Sequence, residues 1–435
     1  MTRDRLHPRT LGALCGVLLC AATLLGLAGP AAARGARGTA AAASRYPAGA
    51  TRALAHPPRS AHAGAHISAA AKKKRKAKAH KPALRGNPLR GLLAYQTMQS
   101  VYYIQGSGLY DGEPFSYLWP FSQALAASVS MANIPHSGIS FTRELRAELV
   151  GLNSYLDIDN SGAPEGVYTS TLPAFDGTVA PPAGPGGAKY YDDNDWIGIE
   201  LARLYKLNHS PAVLGSAEAI MAFEMAGWQA DPTLGCPGGI PFSNLAENTD
   251  RNTVTTAPAA ELALQLYKIT ANPQYLQFAE MAYAWVRRCL LTPAQLYADH
   301  VNPRGIVEPA LWSYNQGTMI GAGTLLYQVT GDAAYLFQAR QTAQAARQYF
   351  TPERLGAENP FFPSVYFRNL MYLDSVTHDP PGPKIGQAYV DYAWRHLRLS
   401  NNLFVAGSPA SAQLLYQAAI VQIYALLSSP PSTYF

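Results

Sequence analysis

Tyr205-Lys206-Leu207-Asn208, Tyr267-Lys268-Ile269-Thr270 and Tyr327-Gln328-Val329-Thr330 are three copies of one pattern, spaced 62 and 60 residues apart. Nine residues after each Tyr comes a Leu: Leu214, Leu276 and Leu336. Each copy ends an apolar stretch of helical period, turns through a short polar segment such as Ala271-Asn272-Pro273 or Gly331-Asp332, and opens a second helix rich in Ala and Leu. That is a helical hairpin repeated at about 60 residues. Helical periodicity runs from Leu92 to Leu427, and alternating strand patterns are scarce. Nearly six hairpins fit between residues 91 and 435. The expected fold is all-α, a two-layer toroid of six hairpins, with an open superhelix of stacked helix pairs as the alternative. Long aromatic and polar loops around Leu234–Asn252 and Ala298–Gln316 favour the toroid, because they would line a cavity at one end.

The 90 residues before this region differ in kind. They hold 17 of the chain's 34 Lys and Arg residues but only one of its 28 acids, Asp4, so the remainder is acidic. Arg3, Arg5 and Arg9 precede an apolar run, Leu11–Leu27, which is followed by Gly29-Pro30 and Ala31-Ala32-Ala33. This is the pattern of a secretory signal peptide, residues 1–33. The run is at the short limit for a membrane span, so no span is expected after processing. Leu19 before Cys20 argues against a lipoprotein anchor. Residues 34–90, with KKKRKAK at 72–78, contain too little apolar surface to fold and are expected to be a disordered basic linker. Behind a secretory leader, a nucleic-acid arm is excluded, and the location expected is secreted or in the cell envelope. Of the mature cysteines, Cys236 and Cys289 are open to pairing in an oxidising compartment, with two free thiols as the alternative. Two cysteines and scattered histidines define no metal site, and no cofactor is expected.

In this sparsely charged chain, Tyr190-Tyr191-Asp192-Asp193-Asn194-Asp195-Trp196 concentrates three carboxylates between aromatic rings at the start of a helix. One Asp would be an ordinary N-cap. Three repel one another and raise at least one pKa, as a general acid requires, and aromatic faces beside paired acids suit a sugar ring. Tyr191 and Trp196 are the expected platforms. Neighbours on a helix diverge by about 100°, so spacing leaves two pairs open, Asp192 with Asp193 or Asp192 with Asp195.

The same segment resembles that of glycoside hydrolase family 76, the endo-α-1,6-mannanases. The resemblance continues in order through LWPFSQAL (118–125), CPGGI (236–240), RNTVTTAPAAELALQLY (251–267), SYNQGTMIGAGTLLYQVTGD (313–332) and LLYQAAIVQIYALL (414–427). It implies an (α/α)6 barrel that cleaves α-1,6-linked mannose with retention. Asp192 is then the nucleophile, Asp193 the general acid/base and Asp195 a supporting acid or cap. Tyr314, Asn315 and Gln316 would bind the sugar together with Asn252, although Asn315 would serve equally as a helix cap. Trp119 is expected in the core. Phe242 stands where many members carry an aromatic pair including Trp, keeping a stacking face but losing an indole donor. The implied partner is α-mannan or a mannosylated envelope glycan, handled by a monomer. Two alternatives remain open at this point, a mannosyl transglycosidase and a catalytically silent mannan-binding protein.

Overall fold

The computed structural model describes residues 84–135, 137–160, 169–379, 381–406 and 413–435. The expected signal peptide and the linker up to residue 83 lie outside them. The first helix, α1 (Gly86–Tyr102), begins inside the stretch assigned to the linker, so residues 86–90 are helical.

Hairpins follow: α2 (Leu118–Ala132) with α3 (Thr142–Leu152), α4 (Tyr191–Asn208) with α5 (Pro211–Ala226), α6 (Thr253–Thr270) with α7 (Pro273–Leu290), and α8 (Ser313–Thr330) with α9 (Ala333–Tyr349). After the short α10 (Pro352–Ala357) come α11 (Phe361–Thr377), α12 (Gly382–His396) and α13 (Leu414–Leu426). Helices α2, α4, α6, α8, α11 and α13 each pack on the next, and α13 packs back on α2, closing a ring. Helices α3, α5, α7, α9 and α12 cover their partners from outside, and α1 covers α13. This is an (α/α)6 barrel.

Sequence decides which helix goes to which layer. In α6 every residue from Thr253 to Leu266 is buried, as expected of a helix apolar or small on all faces. In α7 the buried residues Tyr275, Phe278, Ala279, Ala282, Tyr283 and Val286 follow the spacing of one face, which is the outer layer. The YNQG glycine, Gly317, lets two inner helices close up, since a Cβ there would lie 2.7 Å from the Tyr366 Cα.

The repeat explains itself at the hairpin turns. His209, Ala271 and Gly331 adopt left-handed backbone conformation, and their N–H groups donate to the carbonyls of Tyr205, Tyr267 and Tyr327, satisfying helix-end acceptors. The fourth repeat residue then takes an N–H two residues on: Asn208 from Ser210, Thr270 from Asn272 and Thr330 from Asp332. With each inner helix joined to the next through an antiparallel outer one, all six inner N-termini meet at one end. Their macrodipoles together favour negative charge there. At that end β3 (Arg251–Asn252), β4 (His300–Val301) and β5 (Val307–Glu308), reached after the β1 (Leu156–Asp157) and β2 (Ala174–Phe175) ribbon, form an antiparallel sheet that sets Asn252 opposite His300.

Candidate active site

At the entrance of α4, Tyr190 keeps extended backbone and bridges to Ser243, while the Tyr191 N–H donates to the Phe242 carbonyl at 3.2 Å. Asn194 fixes the first turn by gripping Phe175, donating to its carbonyl and accepting from its N–H, both at 2.9 Å. Between these anchors stand Asp192, partly exposed, and Asp193, 8% exposed.

Burial raises both carboxyl pKa values above the ordinary 3.8. For Asp192 the backbone N–H groups of Asp193 and of Asp192 itself oppose the rise by stabilising the carboxylate. Asp193 has no such relief and also feels the Asp192 charge, which raises it further. The two neighbours are thus driven apart, Asp192 the readier to ionise and Asp193 the one that keeps its proton.

Beneath them lie three fully buried acids, Asp195 and two that the sequence did not single out, Glu224 of α5 and Glu261 of α6. Neither oxygen of any of the three has a hydrogen-bond partner in the described protein. Burial, then the charges of Asp192 and Glu261, raise Asp195. Burial, then Asp195 and Asp192, raise Glu224. Glu261 is pushed up to about 8 by burial, against the nearby Arg368 and Asn369. Burial thus favours the neutral form of each acid, and the three make a polar bed for the pair above.

Beside the pair opens a cavity of about 460 Å³ walled by Phe242, Trp312, Tyr314 and Phe362, with Asn252, Asp299 and His300 among its polar lining. Asp192 and Asp193 stand next to this cavity and are not part of its wall. Tyr314 connects the two, since the charges of Asp299 and Asp192 both act on its hydroxyl. The arrangement offers a proton donor, an ionisable neighbour and an aromatic pocket for a hydroxylated ring.

The family model for glycosyl hydrolase family 76 matches residues 94–371. The chain belongs to glycosyl hydrolase family 76. A family 76 mannosidase of Bacteroides thetaiotaomicron has the same fold, with TM-score 0.68 at 20% identity over 79% of this chain and 98% of that one. So does an α-1,6-mannanase of Salegentibacter, seen as an inactive variant with two consecutive aspartates replaced by Asn, in complex with α-1,6-mannotriose; its TM-score is 0.63 at 19% identity, over 79% and 99% of the two chains. The mannan endo-1,6-α-mannosidase DCW1 of Saccharomyces cerevisiae is 25% identical over 174 residues, which are 37% of this chain and 38% of that one. The chain therefore spans well under half the length of this curated relative.

Within this family 76 barrel, the residues expected to bind sugar divide into two groups. Phe242, Asn252 and Tyr314 line the cavity. Tyr191 does not reach it, being fully buried and stacked on Phe223 with ring centroids 4.4 Å apart. Trp196 is 2% exposed and packs edge-on against Phe361, as the partly buried Trp119 also does. Asp195 and Asn315 are sealed from solvent, and neither polar atom of the Asn315 amide has a partner. Gln316 is spent on structure, holding the backbone of Tyr297. One cause underlies all five placements: along a helix the chain rotates about 100° per residue, so only part of each motif can face the mouth.

The CPGGI segment has a structural explanation too. Cys236 is disulfide-bonded to Cys289 across 53 residues, with Cα atoms 6.1 Å apart. Gly239 takes φ +82°, and a Cβ there would lie 2.4 Å from the Trp285 ring. Close passage over that indole carries the chain to Phe242. Among the described residues no group of His, Cys, Asp or Glu is arranged to hold a metal ion, and no helix is long and apolar enough to cross a membrane.

Proposed function

We propose that this family 76 chain hydrolyses α-1,6-mannosidic linkages with retention, through a mannosyl-enzyme intermediate. The observation that carries this reading is the Asp192–Asp193 pair at the head of α4, beside the aromatic cavity, where burial raises both acids and the Asp192 charge raises Asp193 further. It is supported by the related α-1,6-mannanase that is inactive when two consecutive aspartates are replaced.

Asp193 donates its proton to the glycosidic oxygen as the C1–O bond breaks, and the Asp192 carboxylate forms a bond to C1 from the opposite face. Asp193, now a carboxylate, takes a proton from water as that water attacks C1, releasing Asp192 and a product of unchanged anomeric configuration. The helix N-terminus and the two backbone N–H groups favour the charged form of Asp192 that attack requires. Phe242 and Trp312 give the apolar face of the mannosyl ring its contact, and Asn252 and Tyr314 give its hydroxyls theirs. The basic leader and the Cys236–Cys289 bond fit action outside the cytoplasm.

Incubation with linear α-1,6-mannooligosaccharides, with products followed by proton NMR from the first turnover, tests the reading. Shorter oligosaccharides released first as the α-anomer support it. An initial β-anomer, or absence of cleavage beside efficient cleavage of another linkage, overturns it.

A further inference from the structure

The cavity beside the catalytic pair carries charge of one sign. Glu247, Asp250 and Asp299 line it, and no Lys or Arg among the described residues does. Among the described residues His300 is the one basic group in its lining, held between two of the acids, Nδ1 3.0 Å from Asp299 and Nε2 3.5 Å from Asp250. Arg251, next in sequence to Asp250, is fully buried with its guanidinium turned away to the carbonyls of Thr249, Gly235 and Cys236. A second observation marks this space as a ligand site. Tyr314 is 7% exposed and lines the cavity, and its hydroxyl makes no hydrogen bond to the described protein. The hydroxyl is not sealed from solvent, so a group entering the cavity can bond to it.

We propose that this cavity is a charge filter, admitting an uncharged mannosyl unit beside the cleaved linkage and excluding one that bears a phosphate or carboxylate. The inference rests on the glycosidase reading above and narrows its substrate to neutral stretches of mannan. A neutral sugar brings hydroxyl donors that three carboxylates and a phenol can accept, and a C–H face for the aromatic wall. An anion entering the same space would shed its hydration, meet no guanidinium or ammonium, and sit among like charges.

The test compares kcat/KM of the full chain on α-1,6-mannotetraose with a series carrying one phosphate monoester on each sugar in turn, and a parallel series carrying a neutral acetyl ester. At least one phosphorylated member is expected to be cut about a hundredfold more slowly than its acetylated counterpart, a gap that narrows about tenfold in high salt. Asp250 and Glu247 are solvent-accessible, with the Asp250 side chain 47% exposed, so Glu247→Gln and Asp250→Asn should fold, and the pair of changes should narrow the gap in the same way. Phosphorylated and acetylated members cut within about twofold of each other, or a gap that ignores both salt and the two substitutions, would overturn the filter. If neutral mannotetraose itself is not cleaved, the glycosidase reading fails separately, and the same comparison is then read as binding by calorimetry.

Discussion

Gln316 holds Tyr297 by both ends of its amide: Oε1 accepts from the Tyr297 N–H at 2.8 Å, and Nε2 donates to the Tyr297 carbonyl at 2.9 Å and to Trp312 at 3.0 Å. The device recurs. Asn194 grips Phe175 by both backbone groups, Gln417 accepts from Phe404 and donates to Ala94 and Asn402, and Thr256 accepts from Ile240. Each is the fourth residue of its inner helix. The barrel thus suspends the loops of its mouth from polar side chains one turn inside the ring. Gln316→Ala should lower unfolding free energy by on the order of 3 kcal/mol, by stranding two buried backbone groups, and should raise KM, because Asp299 and His300 come just after Tyr297-Ala298. Urea unfolding with parallel kinetics checks this; an unchanged midpoint would mean that the grip contributes nothing.

Activity should follow a bell-shaped pH profile displaced upward from the ordinary carboxylate range. The proposed mechanism needs Asp192 ionised and Asp193 protonated, and burial raises both. As pH falls Asp192 gains a proton and attack is lost; as pH rises Asp193 loses its proton and leaving-group protonation is lost. The measurement is kcat/KM from pH 3 to 10, and full activity persisting at about pH 4, near the unperturbed carboxylate value, would contradict the ordering.

The buried acids should make stability fall with rising pH. Glu261 is raised to about 8 in the folded barrel from an ordinary 4.5, so its contribution is complete below the unfolded value and is lost as pH climbs through the folded one. Glu261→Gln should therefore flatten the decline in stability between pH 5 and pH 9, by more than about 1 kcal/mol. Denaturant melts at both pH values decide it, and an equal decline in variant and parent would show that Glu261 is ionised throughout.

Removing the Cys236–Cys289 bond through paired Ser substitutions should cost about 2–4 kcal/mol, as expected for closing a loop of this length. Because the Cys236 segment leads to Phe242, KM should rise more than kcat falls. Thermal melts under oxidising and reducing conditions report the first effect; a parent protein insensitive to reductant would contradict it.

The sequence carried the hairpins plainly, because their signal is local: a Tyr carbonyl capped by a left-handed residue, then Asn208, Thr270 or Thr330 accepting from the turn. The ring was legible in the number of hairpins that fit after residue 91 and in the long aromatic and polar loops around 234–252 and 298–316. Glu224 and Glu261 were not, because each sits between apolar residues of its own helix and meets Asp195 only after α4, α5 and α6 have packed. The motifs YYDDNDW and SYNQG marked the right helix ends but could not say which residue faces the mouth. Helical phase gave Tyr191 to the Phe223 stack and Gln316 to Tyr297, and left Tyr314 in the cavity. Phe242 and Asn252 lie on segments whose course depends on the disulfide and on the Asn252–His300 register, neither of which spacing reveals.

In the proposed mechanism Asp192 and Asp193 act together on one linkage. The most direct measurement is turnover of α-1,6-mannotetraose by Asp192→Asn and Asp193→Asn, each with its affinity for the same tetraose measured by calorimetry. Each change is predicted to lower turnover by at least about a thousandfold while affinity stays within about tenfold. Near-parental turnover in either variant would contradict it.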